Sequence, residues 1–475
     1  MLFTSGTYFV FLIAVFFIYW MAAHLTRWRI TLLIVASALF YWINAGRALA
    51  LLVVIAAIDF TTTRWMARLA SPTKRRLLLA ISLTADIGAL GFFKYANFFI
   101  ESAASAAAAI GINMPAPHLD IIAPLGISFF IFQSLAYVID VYRKDSQPAK
   151  SYADYFAFVA FFPTIIAGPI LRGRDLLHRL RERVTLDNAM GAQALFLIAI
   201  GLTKKIAIAD YLSANLVERV FDFPERFSSL EVLAAVYGYA LQIYADFSGY
   251  SDIAIGSALL LGYRLPVNFN APYAAANLPE FWRRWHISLS TWLRDYVFFS
   301  LAGRRARNLG VLLPSLVVTM LVGGLWHGPT WTFVIWGLLH GTGLVVVRLW
   351  EKARKQLGLV RTEARWPRVL ATLATFHFVC FAWIFFRAES LNAAVAVFKQ
   401  LAALSVDMAN LAAPVMYIIA IGFAAHFLPD RLWHSSQMRF TRMPALAQAA
   451  LLMALAVGLY FVASSDFVPF IYSRF

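Results

Sequence analysis

VLLPSLVVTMLVGGLWHGPTWTFVIWGLLHGTGLVVVRLW, residues 311–350, carries a single formal charge, at Arg348. A helix crosses a bilayer's hydrocarbon with about 20 mostly apolar residues. This stretch provides two such helices, 311–326 and 330–350, parted at His327-Gly328-Pro329. Both runs are continuously apolar, without the alternation that marks the strands of a membrane barrel. Gly323, Gly324 and Gly328 let the backbone come close to a neighbour, and Pro329 lacks an amide proton. The helix is therefore expected to break with an imidazole at the break.

Outward from there, further span candidates lie at 5–23, 29–46, 48–66, 77–99, 120–142, 151–170, 189–215, 230–261, 367–386, 410–428 and 444–465. The expected fold is all-α: one domain over 1–475, a polytopic integral membrane bundle of about eleven transmembrane helices with re-entrant and interfacial pieces. Composition agrees, since 61% hydrophobic and 14% charged residues depart far from the roughly 45–50% and about 25% of soluble chains. Mean hydropathy is +0.69. The formal charge of +16 suits loops held in the cytoplasm against anionic membrane lipid, and no nucleic-acid partner is expected. Tyr8 to Trp20 has no basic lead and no small-residue cleavage site after it, so it reads as a span and not as a signal peptide. The lone cysteine, Cys380, can form no intrachain disulfide.

Basic stretches at His24–Arg29 and Arg64–Arg76 place both loops in the cytoplasm and the N terminus outside, while the loop from Glu101 to Asp120, without lysine or arginine, is external. Arg143, Lys144 and Lys150 return inside. Arg172, Arg174, Arg179, Arg181 and Arg183 then follow segment 151–170, so that segment should not cross. With Phe162-Pro163 and Ala167-Gly168-Pro169 in it, a re-entrant pair of half-helices is expected. The alternative is a full span with an external arginine cluster. From Tyr263 to Arg307 charge is dense, including Glu280, Arg304, Arg305 and Arg307, and Trp282, Trp285, Leu289, Trp292 and Leu293 recur at helical spacing. That pattern fits a helix at the interface or dipping into a cavity. A charged tether, Glu351–Arg368, joins the tenth main candidate to the last three.

Ionisable residues inside spans cost on the order of 2.5–3.5 kcal/mol at the membrane centre and mark function. His327, buried and neutral, suits a general base that accepts a hydroxyl proton. The alternative is a core histidine bonded to a carbonyl across a helix contact. His340 stands inside Gly337-Leu-Leu-His-Gly341, a small-xxx-small pattern that draws helices together, and reads as structural. His286 has Trp282 and Ser290 at i±4 on its helical face, and is either catalytic or a histidine of an amphipathic helix. In Asp246-Phe-Ser248-Gly-Tyr-Ser-Asp252, Ser248 and Asp252 share a face that Asp246 does not, and pairing of the acids with arginines is the favoured reading. No zinc spacing, nucleophile elbow, Walker loop or dinucleotide glycine pattern occurs, so no metal and no permanently bound cofactor are expected.

Several blocks carry a resemblance: Pro124-Leu-Gly-Ile-Ser-Phe-Phe, Phe161-Phe-Pro-Thr-Ile-Ile-Ala-Gly-Pro-Ile, Tyr244-Ala-Asp-Phe-Ser-Gly-Tyr-Ser-Asp, Glu280-Phe-Trp-Arg-Arg-Trp-His-Ile-Ser-Leu-Ser, and Gly323-Gly-Leu-Trp-His-Gly. Together they span about residues 120–345, with weaker likeness at Phe385-Phe-Arg-Ala and Phe467-Val-Pro-Phe. The chain resembles the membrane-bound O-acyltransferase family, in its bacterial alginate O-acetyltransferase branch. The resemblance implies acyl transfer in a membrane-embedded helical funnel around a central histidine. His327 matches the family's key histidine and His286 the second one of this branch. It also implies a cytoplasmic thioester donor, acetyl-CoA, and delivery to an exported polysaccharide such as alginate, directly or through a periplasmic SGNH-type acetyltransferase, from the bacterial inner membrane. Cellulose or peptidoglycan would use nearly the same component.

In that chemistry His327 removes the hydroxyl proton as the oxygen attacks the thioester carbonyl. The carbonyl oxygen then needs a fixed donor, for which His286, Trp326 and an amide near Gly324 all qualify. Arg283, Arg284 and Arg294 are candidates for the coenzyme's phosphates or for lipid headgroups, with Asp252 and Ser290 as further candidate donor-binding residues. A reading of another class remains: a transporter or channel whose path is lined by His327 and His286.

Overall fold

The computed structural model describes residues 1, 3–303, 308–359 and 365–463. Arg304, Arg305, Arg307, the Phe467-Val-Pro-Phe block and part of the Glu351–Arg368 tether lie outside the described residues. Among the described residues every regular element is helical. They form two compact units, residues 1–187 with 257–266, and 188–256 with 267–475.

The first unit contains α1 (Gly6–Met21), α2 (Thr26–Ala45), α3 (Ala48–Arg68), α4 (Pro72–Ala109, with a π-type turn at Gly91–Tyr95), α5 (Ile127–Arg143) and α6 (Tyr152–Val159). Local chemistry sets their starts. The Ser5 and Ser71 hydroxyls accept the Tyr8 and Lys74 amides, and Pro72 takes a first-turn position where no amide proton is required. The second unit contains α7 (Asn188–Asp222), α8 (Ser229–Leu260), α9 (Leu278–Arg284), α10 (Ile287–Trp292), α11 (Leu309–His327), α12 (Trp331–Gln356), α13 (Arg365–Arg387), α14 (Leu391–Ala402), α15 (Ala413–His426), α16 (Asp430–Arg442) and α17 (Ala445–Val462).

Eight of these helices, α2, α3, α4, α7, α11, α12, α13 and α17, are long and apolar enough to cross a membrane. The pair α15 and α16, bent by 93°, makes a ninth if the two form one span. Their outward apolar residues are widely exposed, as Val35 in α2 and Leu446 and Phe461 in α17 illustrate. A helix that is apolar on all sides and still uncovered requires hydrocarbon around it. The protein is a multi-pass membrane protein.

Segment 151–170 does not span, but neither does it form two half-helices. It is a single eight-residue helix, α6, followed by consecutive turns, with residues 154–173 all buried. Backbone of this kind is tolerated at membrane depth only where protein satisfies it. Here the Phe162 amide donates to Ser37 Oγ at 3.1 Å, and the Thr164 and Gly168 amides donate to the Phe161 and Thr164 carbonyls. The turns fit because Gly126, in the left-handed region at φ 77°, has no Cβ to strike the Ile165 carbonyl. Arg181 of the basic stretch returns onto this helix, its Nη2 2.8 Å from the buried Asp154 carboxylate.

The described part of the stretch 263–307, residues 263–303, also departs from one amphipathic helix. It folds as α9, α10 and a π-type turn, Leu293–Phe298, all too short to span. Trp285, Leu289, Trp292 and Leu293 are buried inside the second unit, so its apolar face packs on protein.

Candidate active site

His327 is the last residue of α11, and Gly328 leaves the helix extended at φ −165°. The ring is 1% exposed, and its centroid lies 5.0 Å from Trp326, 5.0 Å from Trp336 and 4.9 Å from Phe386. The break expected from Gly-Pro is present. It is shaped by glycines: a Cβ at Gly337 would lie 2.5 Å from the Met320 carbonyl oxygen, one at Gly341 2.8 Å from Val317 Cα, and one at Gly324 would strike the Phe333 carbonyl. α11 and α12 thus touch backbone to backbone, as the small-xxx-small spacing anticipates.

His286 is not on a continuous helix. α9 ends at Arg284, His286 adopts the left-handed region at φ 40°, and α10 starts at Ile287. The i±4 face shared with Trp282 and Ser290 therefore does not exist. Trp282 instead faces Trp336 at 5.7 Å and His340 at 5.1 Å, and Ser290 Oγ donates to the Trp285 carbonyl at 2.9 Å. His286 is fully buried and its ring lies 5.6 Å from Trp326, so one indole touches both candidate histidines. His340, assigned to structure by spacing, belongs to the same aromatic cage, with Trp336 at 4.8 Å. Neither of its ring nitrogens has a hydrogen-bond partner among the described residues.

The charged candidates are arranged differently. Arg284 pairs with Glu280 at 2.9 Å and Arg294 with Asp295 at 2.7 Å, while Arg283 is exposed. The acids of α8 pair with lysines, not arginines. Lys204 reaches Asp252 at 2.7 Å, and Lys205 lies between Asp246 at 2.7 Å and Asp210 at 2.5 Å. The helices run antiparallel here and nearly touch, since a Cβ at Gly201 would lie 2.6 Å from the Gly249 carbonyl oxygen. Consecutive lysines inside the apolar run 188–222 were the available signal, but hydropathy averaging over a window conceals them. Asn268, which holds His286 Nδ1 at 3.2 Å, and His426, whose Nε2 accepts the Tyr273 amide at 3.1 Å, were likewise not singled out by sequence. Among the described residues no three His, Cys, Asp or Glu side chains converge on a metal position.

A buried imidazole at a helix break, beside a second imidazole and indole donors, is equipped for proton transfer in a dry site. The comparisons with known proteins point to acyl transfer as the reaction. The profile of the MBOAT, membrane-bound O-acyltransferase family matches residues 148–395. A probable alginate O-acetylase of Azotobacter vinelandii is 38% identical over 435 residues, 84% of each chain. A peptidoglycan O-acetyltransferase of Helicobacter pylori is 35% identical across 78% of this chain and 73% of its own. A teichoic acid D-alanyltransferase of Bacillus subtilis is 30% identical across 58% and 72%. Long matches of this kind, with the helical membrane architecture beneath them, mean that the chain belongs to the membrane-bound O-acyltransferase family and is an acyltransferase.

Proposed function

We propose that the chain moves an acetyl group from a cytoplasmic thioester, acetyl-CoA, to O-acetylate an exported polysaccharide from the bacterial inner membrane, with His327 as general base. The observation that carries this reading is the burial of His327 at the end of α11, one indole away from His286. A neutral imidazole there takes the proton as the acceptor oxygen forms its bond to the thioester carbonyl carbon. The carbon–sulfur bond then breaks and the departing thiolate takes up a proton. Gly324 sits within α11, one turn before its end, so its amide belongs to the helix ladder and is a poor oxyanion donor. Trp326 and His286 remain as candidates.

The relatives' names support polysaccharide acceptors, alginate in one and peptidoglycan in another. An alginate-type acceptor is the first choice because that relative matches over the greater share of the chain. Hand-over through a periplasmic SGNH-type acetyltransferase is part of the proposal, as are coenzyme phosphates held by the exposed Arg283. The test is His327→Ala in membrane vesicles with labelled acetyl-CoA, its insertion and fold checked by detergent chromatography. Acetyl transfer should fall by about 10²–10⁴-fold. Undiminished transfer removes His327 from the mechanism, and transport of a solute without transfer favours the channel reading.

A further inference from the structure

Asn268 lies on the irregular stretch before α9 and is 1% exposed. Its backbone carbonyl accepts the Ile287 amide at 2.9 Å, and its side-chain oxygen accepts the Ser288 amide at 3.2 Å and the Ser288 hydroxyl at 2.9 Å. Its side-chain nitrogen donates to Ser251 Oγ on α8 at 3.2 Å. These bonds tie the chain directly after the left-handed turn at His286 to one residue.

They also decide a proton. A backbone N–H can only donate, so the Ser288 amide establishes which end of the Asn268 amide group is oxygen. His286 Nδ1 lies 3.2 Å from that same oxygen. The oxygen carries no hydrogen and can only accept, and the Ser288 hydroxyl, 3.4 Å from Nδ1, directs its one hydrogen to that oxygen at 2.9 Å, so Nδ1 carries the proton. In a neutral imidazole this leaves Nε2 with a bare lone pair. Nε2 has no hydrogen-bond partner among the described residues, on a ring that is fully buried and in contact with Trp326.

We propose that Asn268 is a positioning residue that locks His286 in its Nδ1–H form, so that His286 meets the substrate as a hydrogen-bond acceptor through Nε2. Such a nitrogen holds a donor, and the donor a sugar substrate supplies is a hydroxyl next to the one whose proton His327 takes, so that the two imidazoles accept from different groups. His286 does not stabilise the carbonyl oxygen, which leaves that task to the Trp326 indole. The proposal rests on the reading of His286 as part of the reacting centre.

The test uses full-length protein with ¹⁵N-labelled histidine in nanodiscs, the His286 resonances being identified by their loss in His286→Gln. Wild type should show a protonated Nδ1 and a bare Nε2. Asn268→Ala should lose that preference and slow acetyl transfer at least about tenfold, since a mis-set tautomer disables an otherwise intact imidazole. Asn268→Asp, which keeps the acceptor oxygen, should recover most of the transfer. A protonated Nε2 in wild type overturns the proposal. So does a folded Asn268→Ala that retains either the wild-type ring nitrogens or full transfer. If Asn268→Ala does not fold, the wild-type spectrum decides alone. The ring-nitrogen reading needs no turnover, so it fails or stands independently of the His327→Ala result.

Discussion

Gly337→Ala adds one methyl group where α12 lies against α11, and its effect can be worked from the contact. The new Cβ would lie 2.5 Å from the Met320 carbonyl oxygen and 3.1 Å from Leu321 Cα, both backbone atoms that no rotamer change can move. Ordinary contact begins at 3.4 Å, so the helices must part by roughly 0.9 Å. Overpacking of this kind costs about 1–3 kcal/mol. The displacement also reaches the site, because Trp336, one residue before, sits 5.0 Å from the His327 ring. A shift near 1 Å at a reacting centre lowers the rate on the order of 10²-fold. Thermal unfolding in detergent and acetyl transfer in vesicles should therefore fall together. Gly88→Ala in α4 is the matched control, with nothing within 4 Å of its Cβ and an expected gain of up to about 1 kcal/mol from reduced chain entropy. If Gly337→Ala behaves like Gly88→Ala in both assays, the backbone contact does not set the geometry of His327.

Lys205→Met should destabilise the protein by about 3–5 kcal/mol, because it leaves the buried Asp246 carboxylate without its 2.7 Å counter-charge. Adding Asp246→Asn should recover much of this loss, and thermal denaturation in detergent measures both; an additive double variant would refute the coupling. Glu280, on α9 outside the spanning helices, responds to pH. Burial works to raise its carboxyl, but the Ala276 amide and the Arg284 and Arg368 guanidinia outweigh that and hold it below the usual carboxylate range. Its contribution to stability is then complete above the ordinary carboxylate pKa and disappears as pH falls through the lowered folded value. Glu280→Gln should therefore melt earlier than wild type at neutral pH and alongside it in acid. An undiminished gap in acid would contradict the assignment.

The sequence by itself determined the membrane class, the apolar runs of the eight span-length helices and the family, because each follows from local quantities. Twenty apolar residues in a row have one low-energy environment, whatever lies beside them. The Gly-Pro break after His327 is equally local, since it follows from a missing amide proton and a missing Cβ. The tertiary structure decided the rest. Whether 151–170 folds as two half-helices or as one helix and buried turns depended on Ser37, 125 positions away, accepting the Phe162 amide. The partners of Asp246 and Asp252 depended on how closely Gly201 and Gly249 let α7 and α8 approach. Helical spacing placed Trp282 beside His286, but that spacing holds only while φ stays negative. At His286 the bonds from Asn268 hold the chain in the left-handed region, and the face is divided there. Long-range contacts of this sort leave no mark in a window of neighbouring residues, because the atoms that satisfy them lie elsewhere in the chain.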